Sequence, residues 1–266
     1  MSEQNLSRRR EGRLDELTAL LLAEGTATAQ DLAERFDVSL MTMHRDLDEL
    51  ERRSLVRKFR GGVTTQPSGV FESNVLFRQQ AMITQKQLIA RAARRLVEPG
   101  MSMMLDDSTS VLELAKLLDG ITPLRVVTNF LAGLKVLSGV PGISLTALGG
   151  DYDPNHDSFL GVGCVEAIEA LRVDAVFVST SAAAEGLAYH QEQHIVSVKR
   201  AMLAAAAHRY LLLDSGKFGR VALHRVVPLE TFDAVVVDDG ITEEQLADLR
   251  ERGIMVEVAQ CRASTE

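Results

Sequence analysis

From residue 101 onward, short apolar runs recur at 101–105, 124–129, 143–148, 174–180, 210–214, 233–239 and 254–258. Between them lie stretches with helical character at 109–118, 130–137, 164–171, 196–207 and 243–252. Strands this uniformly apolar must bury both faces. The chain between them must cross back over the sheet as helices. This part of the chain therefore predicts an α/β domain with a mostly parallel sheet covered on both sides. In such sheets ligands gather beyond the carboxyl ends of the strands.

Those strand ends carry polar clusters. Asp106, Asp107, Ser108, Thr109 and Ser110 follow the first run, and Thr128 and Asn129 the second. Gly149 and Gly150 follow the third, and Asp214 to Lys217 the fifth. A hydroxyl-rich turn that opens a helix can cradle an anionic group, with Lys217 as countercharge. Asp106 and Asn129 suit sugar hydroxyls. Ser, Thr and Asp are equally the ordinary helix-capping residues, so 106–110 also reads as a plain cap cluster.

The first 65 residues follow a different pattern. Leu14, Leu17, Leu20 and Leu21 form an apolar stripe at helical spacing, ended by Gly25. Thr28 caps a short helix, with Asp31 as its capping-box partner. Ser39 caps a third helix that runs to about Arg53. Leu40, Met43, Leu47 and Leu50 fall on or near its buried side, leaving Ser39, Met41, Thr42, His44 and Arg45 largely outward. Residues 55–59 and 63–65 then read as two short strands, with Gly61-Gly62 as the turn. Three helices and a hairpin make a winged helix-turn-helix, whose second motif helix enters the DNA major groove. Hydroxyls there bond phosphate or bases, and Arg reads guanine bidentately. Each residue alone also reads as ordinary helix surface.

Charge supports a polyanion partner for this small module only. The chain carries a net charge of −8, with 46% hydrophobic residues, which excludes both a uniformly basic coat and global disorder. Residues 1–65 are nearly balanced, and the run Arg52, Arg53, Arg57, Lys58, Arg60 contains no acid. Arg57, Lys58 and Arg60 form the basic wing. No apolar stretch approaches the ~18 residues of a membrane span, and no apolar run follows the N-terminal arginines. Cys164 and Cys261 lack metal-ligand spacing and read as reduced thiols of a cytoplasmic protein. No metal or cofactor site is read from the sequence. The domain reading is 1–65 winged helix-turn-helix, 66–83 linker and 84–266 effector-sensing domain, with the helix at 84–97 leading into the latter.

At these residues the chain resembles the DeoR family of bacterial transcriptional regulators. The family's first-helix spacing is met by Arg13, Leu17 and Leu21. Its recognition-helix pattern is met by Ser39, Thr42, Met43, His44, Arg45, Asp46 and Leu47. Glu49, Leu50, Arg57 and Gly61-Gly62 resemble its approach to the wing, with Ser54 where the family usually has Gly. The second half resembles the family's sensor domain, itself similar in fold to ribose phosphate isomerases. The matching residues are Asp106, Thr109, Ser110, Val127-Thr128-Asn129, Gly149-Gly150, Gly186-Leu187, Glu192, Lys199 to Met202, and Asp214 to Gly219. Ser108, Ser179-Thr180-Ser181 and Gly216 depart from the family pattern, all in pocket-forming turns. The resemblance adds Glu192 and Lys199 to the effector set. It implies a repressor of sugar or polyol metabolism, released from double-stranded operator DNA by a small effector such as a sugar phosphate. Helix-turn-helix proteins usually pair on two half-sites, so the resemblance implies a homo-oligomer, dimer or tetramer. The rival readings are a sugar-phosphate isomerase, with Asp106, Asp214 and Lys217 in acid–base roles, and a protein-interaction adaptor.

Overall fold

The leucine stripe of the N-terminal segment lies on α1 (Glu3–Glu24), where Leu14, Leu17 and Leu21 are all buried. They pack on α2 (Ala29–Arg35) and α3 (Leu40–Arg52) through Leu32, Met43, Leu47 and Leu50. The computed structural model describes residues 3–260 and divides into two units, Met1–Ala81 and Met82–Glu266. Cys261 lies outside the described residues.

In the first unit, Thr28 accepts the Asp31 backbone N–H and Ser39 accepts that of Thr42, so both expected caps start their helices. The wing has three strands. β1 (Thr26–Thr28), unforeseen from the sequence, pairs with β3 (Gly62–Thr64), which in turn pairs with β2 (Arg57–Phe59), all antiparallel. The turn is Arg60-Gly61 rather than Gly61-Gly62. Gly62 is the first residue of β3, and a Cβ there would overlap the Ala27 carbonyl oxygen. Leu40 is corrected too: it is 47% exposed, because the buried face of α3 begins at Met43. Ser54 adopts φ +56°, the left-handed conformation that glycine favours after a helix. Residues 66–83, read above as a linker, include α4 (Val75–Gln80), capped by Asn74. Just before it, the buried Ser73 hydroxyl donates to the Thr65 carbonyl.

The second unit begins with α5 (Ile83–Ala93), then β4 (Ser102–Leu105), α6 (Thr109–Ala115), β5 (Leu124–Thr128), α7 (Leu131–Leu137) and β6 (Ile143–Ala147). A hairpin, β7 (Asp151–Asp153) and β8 (Ser158–Leu160), stands where a polar loop was expected, ahead of α8 (Val162–Glu169). Then come β9 (Val173–Val178), β10 (Ala182–Ala184), β11 (Leu187–His190), α9 (Gln193–Ala204) and β12 (Ala206–Leu212). β13 (His224–Pro228), β14 (Ala234–Asp238), α10 (Glu243–Glu251) and β15 (Met255–Ala259) complete it.

All seven apolar runs enter one sheet of order β15-β14-β12-β9-β4-β5-β6, every pairing parallel. Alternate residues serve the two faces. Met104, Val176 and Val178 face α8 and α9, while Met103, Leu105 and Phe177 face α5 and α6. β10, β11 and β13 form a separate antiparallel sheet, missed because runs of three to five residues, one of them opening on His224-Arg225, carry little apolar signal.

Two substitutions in the first unit test these backbone readings. Ser54→Gly relieves the left-handed strain and should raise stability by up to about 1 kcal/mol. Gly62→Ala forces the wing off β1 and should cost about 1–3 kcal/mol. Both are checked by hydrogen exchange at the Leu47 amide during urea titration; equal midpoints for the two variants would contradict the assignments.

Candidate functional site

The helix-turn-helix presents α3 with a buried anchor and an open outer side. Asp46 is 1% exposed, and its two carboxylate oxygens accept the Nε–H groups of Arg10 at 3.0 Å and Arg13 at 2.7 Å. This fork fixes the rotation of α3 against α1. Met41, His44 and Arg45 are consequently exposed. Thr42 is half-buried, its hydroxyl 2.9 Å from that of Ser39. A cleft of about 480 Å³ between the helices is lined by Arg10, Arg13, Thr42, Arg45 and Arg52 among others. Arg10 and Arg13 were not in the expected DNA-contacting set; their signal was a helix face shared with the leucine stripe.

The basic run is less free than its sequence suggests. Arg52 and Arg53 both pair with Glu49, whose carboxyl they hold down at about 2, and Arg53 also reaches Glu11 at 2.9 Å. Lys58 pairs with Asp48. Arg60 is exposed, and the buried Nε of Arg57 has no hydrogen-bond partner among the described residues. The acids lie on α1 and α3, so a run that looks purely cationic along the chain is partly balanced in space.

In the second unit the strand order reverses between β4 and β9: the chain builds β5 and β6 on one side of β4, then crosses to build β9, β12, β14 and β15 on the other. Such a switch point opens a crevice at the strand ends. The ends meeting there are Asp106-Asp107 and Ser179-Thr180. Asp106 accepts the Ser108 N–H at 3.0 Å, the Ser179 N–H at 2.9 Å and the Lys199 ammonium at 2.5 Å. Asp107 accepts Lys199 at 3.2 Å and the Ser158 hydroxyl at 2.9 Å. All three charged side chains are nearly fully buried. Burial pushes Lys199 toward neutrality, but the two carboxylates outweigh it and hold its pKa above the ordinary value. Asp106 was expected to orient ligand hydroxyls; its oxygens are instead occupied by protein donors. Burial, then the charge of Asp107, pushes the nearby Cys164 thiol up to about 11.

Around this triad the remaining expected residues separate. Ser108 caps α6 through the Val111 N–H, and Thr128 accepts the Phe130 N–H. Thr109 is buried in the first turn of α6. Ser110 Oγ and Asn129 Oδ1 are buried with no hydrogen-bond partner among the described residues, while Asn129 Nδ2 donates to the Phe159 carbonyl at 3.0 Å. Buried polar atoms of this kind call for a partner, either ordered water or a bound group. Lys217 bridges from Asp214, at 3.5 Å, to the Ser179 hydroxyl, at 3.3 Å. Gly149 and Gly150 are exposed beyond β6, where a Cβ on Gly150 would overlap the Leu160 carbonyl oxygen. Glu192 does not join the triad; it contacts His156 at 2.9 Å and His194 at 3.1 Å. Sequence reasoning missed Ser158, His156 and His194, because the hairpin and the first turn of α9 carry no clear periodic signal, while Ser179 was marked only as a departure in a pocket-forming turn.

Residues 13–68 match the family described as DeoR-like helix-turn-helix domain, and residues 81–239 match the DeoR C terminal sensor domain. The chain is 30% identical to an HTH-type transcriptional regulator, YgbI, of Escherichia coli (strain K12), over 91% of this chain and 94% of that one. It is 28% identical to a lactose phosphotransferase system repressor of Staphylococcus epidermidis, covering 88% of this chain and 94% of that one. It is 25% identical to the HTH-type transcriptional regulator IolR of Bacillus subtilis, covering 93% and 98%. Among solved structures, ribose 5-phosphate isomerase A from Methanocaldococcus jannaschii aligns with TM-score 0.37 and 16% identity, covering 50% of this chain and 53% of that one.

The triad yields a test of its own. Lys199→Met leaves two buried carboxylates without their cation and should destabilise the second unit by about 3–5 kcal/mol. Burial without a countercharge then disfavours the charged form of both carboxylates in the folded variant. The variant's deficit should therefore shrink as pH falls toward the carboxylate range and be full at neutral pH. Denaturant unfolding of both proteins at pH 5 and 7.5 reads this out; a deficit independent of pH would remove the charge explanation.

Proposed function

Because this chain belongs to the DeoR family of transcriptional regulators, we propose that it represses a carbohydrate-related operon and is released from DNA by a small metabolite. Its relatives include a lactose phosphotransferase system repressor, matched over nearly its whole length. The observation that carries the DNA half is the Asp46 fork, which presents the outer side of α3 in a fixed rotation. In this reading Arg45 and His44 reach base edges, with Ser39, Met41 and Thr42 at the start of the helix beside them. Arg57, Lys58 and Arg60 contact phosphates from the wing, and a pair of chains reads two half-sites.

The sensing half rests on the crevice at the ends of β4, β5 and β9. Ser110 and Asn129 offer unsatisfied atoms to ligand hydroxyls, and Lys217 offers a countercharge to a phosphate. Asp106, Asp107 and Lys199 serve as the frame that positions these groups. Ligand binding lowers DNA affinity only if the ligand prefers a conformation that binds DNA poorly. The isomerase reading loses ground on this geometry: both oxygens of Asp106 are taken by protein donors, and the relatives matched over most of their length are regulators.

Gel shifts on the chain's own upstream DNA, with sugar phosphates and polyols added, test the whole reading. Arg45→Ala should weaken operator binding by ~1–3 kcal/mol and relax sequence preference. Replacing Arg57, Lys58 and Arg60 with alanine should weaken all sequences alike and flatten the salt dependence by about one unit per lost contact. Unchanged affinity in both variants would exclude this face.

Lys217→Ala should leave DNA binding intact and abolish release by a phosphorylated effector. Release that survives Lys217→Ala but fails in Asn129→Ala would instead identify a neutral polyol. Normal release in both would place the sensor elsewhere.

A further inference from the structure

Outside the triad, two histidines and two carboxylates converge at the mouth of the same unit. Asp153 ends β7, His156 sits in the turn that follows it, and Glu192 and His194 flank the start of α9. One oxygen of Glu192 lies 2.9 Å from His156 Nε2 and 3.1 Å from His194 Nε2. His194 Nε2 is also 3.4 Å from an oxygen of Asp153. One donor atom from each of the four residues lies within 4.8 Å of all the others. A tetrahedral ion with N and O ligands at ~2.0–2.2 Å requires donors roughly 3.3–3.6 Å apart. The three separations of 2.9, 3.1 and 3.4 Å lie at or just below that edge length, and the remaining pairs lie within 4.8 Å.

Each arm of the cluster is held by a further contact, at the Asp153 carboxylate on one side and at the Glu192 backbone on the other. The other oxygen of Asp153 accepts the backbone N–H groups of Asn155 at 2.8 Å and His156 at 3.4 Å, which fixes the turn and aims the second oxygen at His194. On the other arm, the Glu192 backbone N–H donates to His190 Nδ1 at 3.1 Å. His156 is 1% exposed and His194 48% exposed, so the site has a buried wall and a path for entry.

We propose that Asp153, His156, Glu192 and His194 bind one divalent transition-metal ion of the zinc class. Two imidazoles among four donors favour such an ion over magnesium or calcium, which take oxygen ligands. The ion would clip the β7–β8 hairpin to α9. Those two elements also meet at the crevice: Ser158 of the hairpin bonds Asp107, and Lys199, about two turns along α9 from Glu192, bonds Asp106 and Asp107. The site is independent of which metabolite, if any, the crevice takes, and its test involves neither DNA nor sugar.

The test uses untagged full-length protein stripped with chelator, titrated with zinc chloride against a chromophoric competitor, and separately with cobalt(II) chloride. The expected result is one Zn(II) per chain, four-coordinate Co(II) absorption bands in the visible, and a higher thermal midpoint with Zn(II) but not with Mg(II). His194→Ala, at an exposed position, and Asp153→Asn, which keeps an acceptor for the turn, should each weaken Zn(II) binding at least about tenfold. Far-UV circular dichroism should be unchanged in both. Absence of stoichiometric Zn(II) binding by the wild-type chain, or equal affinity in the folded double variant, would overturn the site.

Discussion

The second unit depends on one buried ammonium. Lys199 reaches from α9 to Asp106 and Asp107 at the end of β4, and Asp106 in turn accepts the first N–H beyond β9. One carboxylate therefore joins α9 to the ends of the neighbouring strands β4 and β9. Asp107 extends the connection to the hairpin through Ser158. Buried charges carry a desolvation cost of several kcal/mol each, and a pair recovers it only with good geometry and filled hydrogen bonds. Here Asp106 accepts at least three donors and Asp107 at least two, which is what makes two adjacent carboxylates tolerable beside one cation. The arrangement leaves the surrounding Ser110, Asn129 and Lys217 as the groups with capacity to spare.

The first unit uses the same device at smaller scale. Asp46 lies on the buried side of α3, among Met43, Leu47 and Leu50, where an unpaired carboxylate would be costly. Arg10 and Arg13 satisfy it from α1, one at each oxygen. Apolar packing alone tolerates small rotations of one helix on another; a two-pronged ion pair does not, because both donor distances change together. The outward direction of His44 and Arg45 follows from that lock.

Much of this was legible in the chain, and the parts that were not share a cause. Strong periodic signals gave the apolar strands of the large sheet, the leucine stripe of α1 and the caps at Thr28 and Ser39. Short elements held by long-range pairing had no such signal. β1 exists because Gly62 allows β3 to lie against Ala27, and β13 because β11 stands beside it. Leu40 shows the limit of helical phase at a first turn, where side chains have not yet reached the core. At the crevice, the strand ends named Asp106, Asn129 and Lys217, but nothing along the chain distinguished a carboxylate that frames a site from one that faces a ligand. That distinction depends on Lys199, 92 residues from Asp107.

The charges at the crevice also constrain what it can accept. Asp106, Asp107 and Asp214 face Lys199 and Lys217, so the cluster retains one more negative than positive group. A phosphate entering it meets a net repulsion unless it engages Lys217 directly and draws that ammonium away from Asp214, now 3.5 Å distant. Such a move would also loosen Lys217 from Ser179, whose backbone N–H is fixed to Asp106. An anionic ligand would therefore compete for a cation that already ties the end of β12 to the end of β9. A neutral polyol would leave that tie in place. The two ligand classes thus predict different internal rearrangements, and only the first changes a contact between strands.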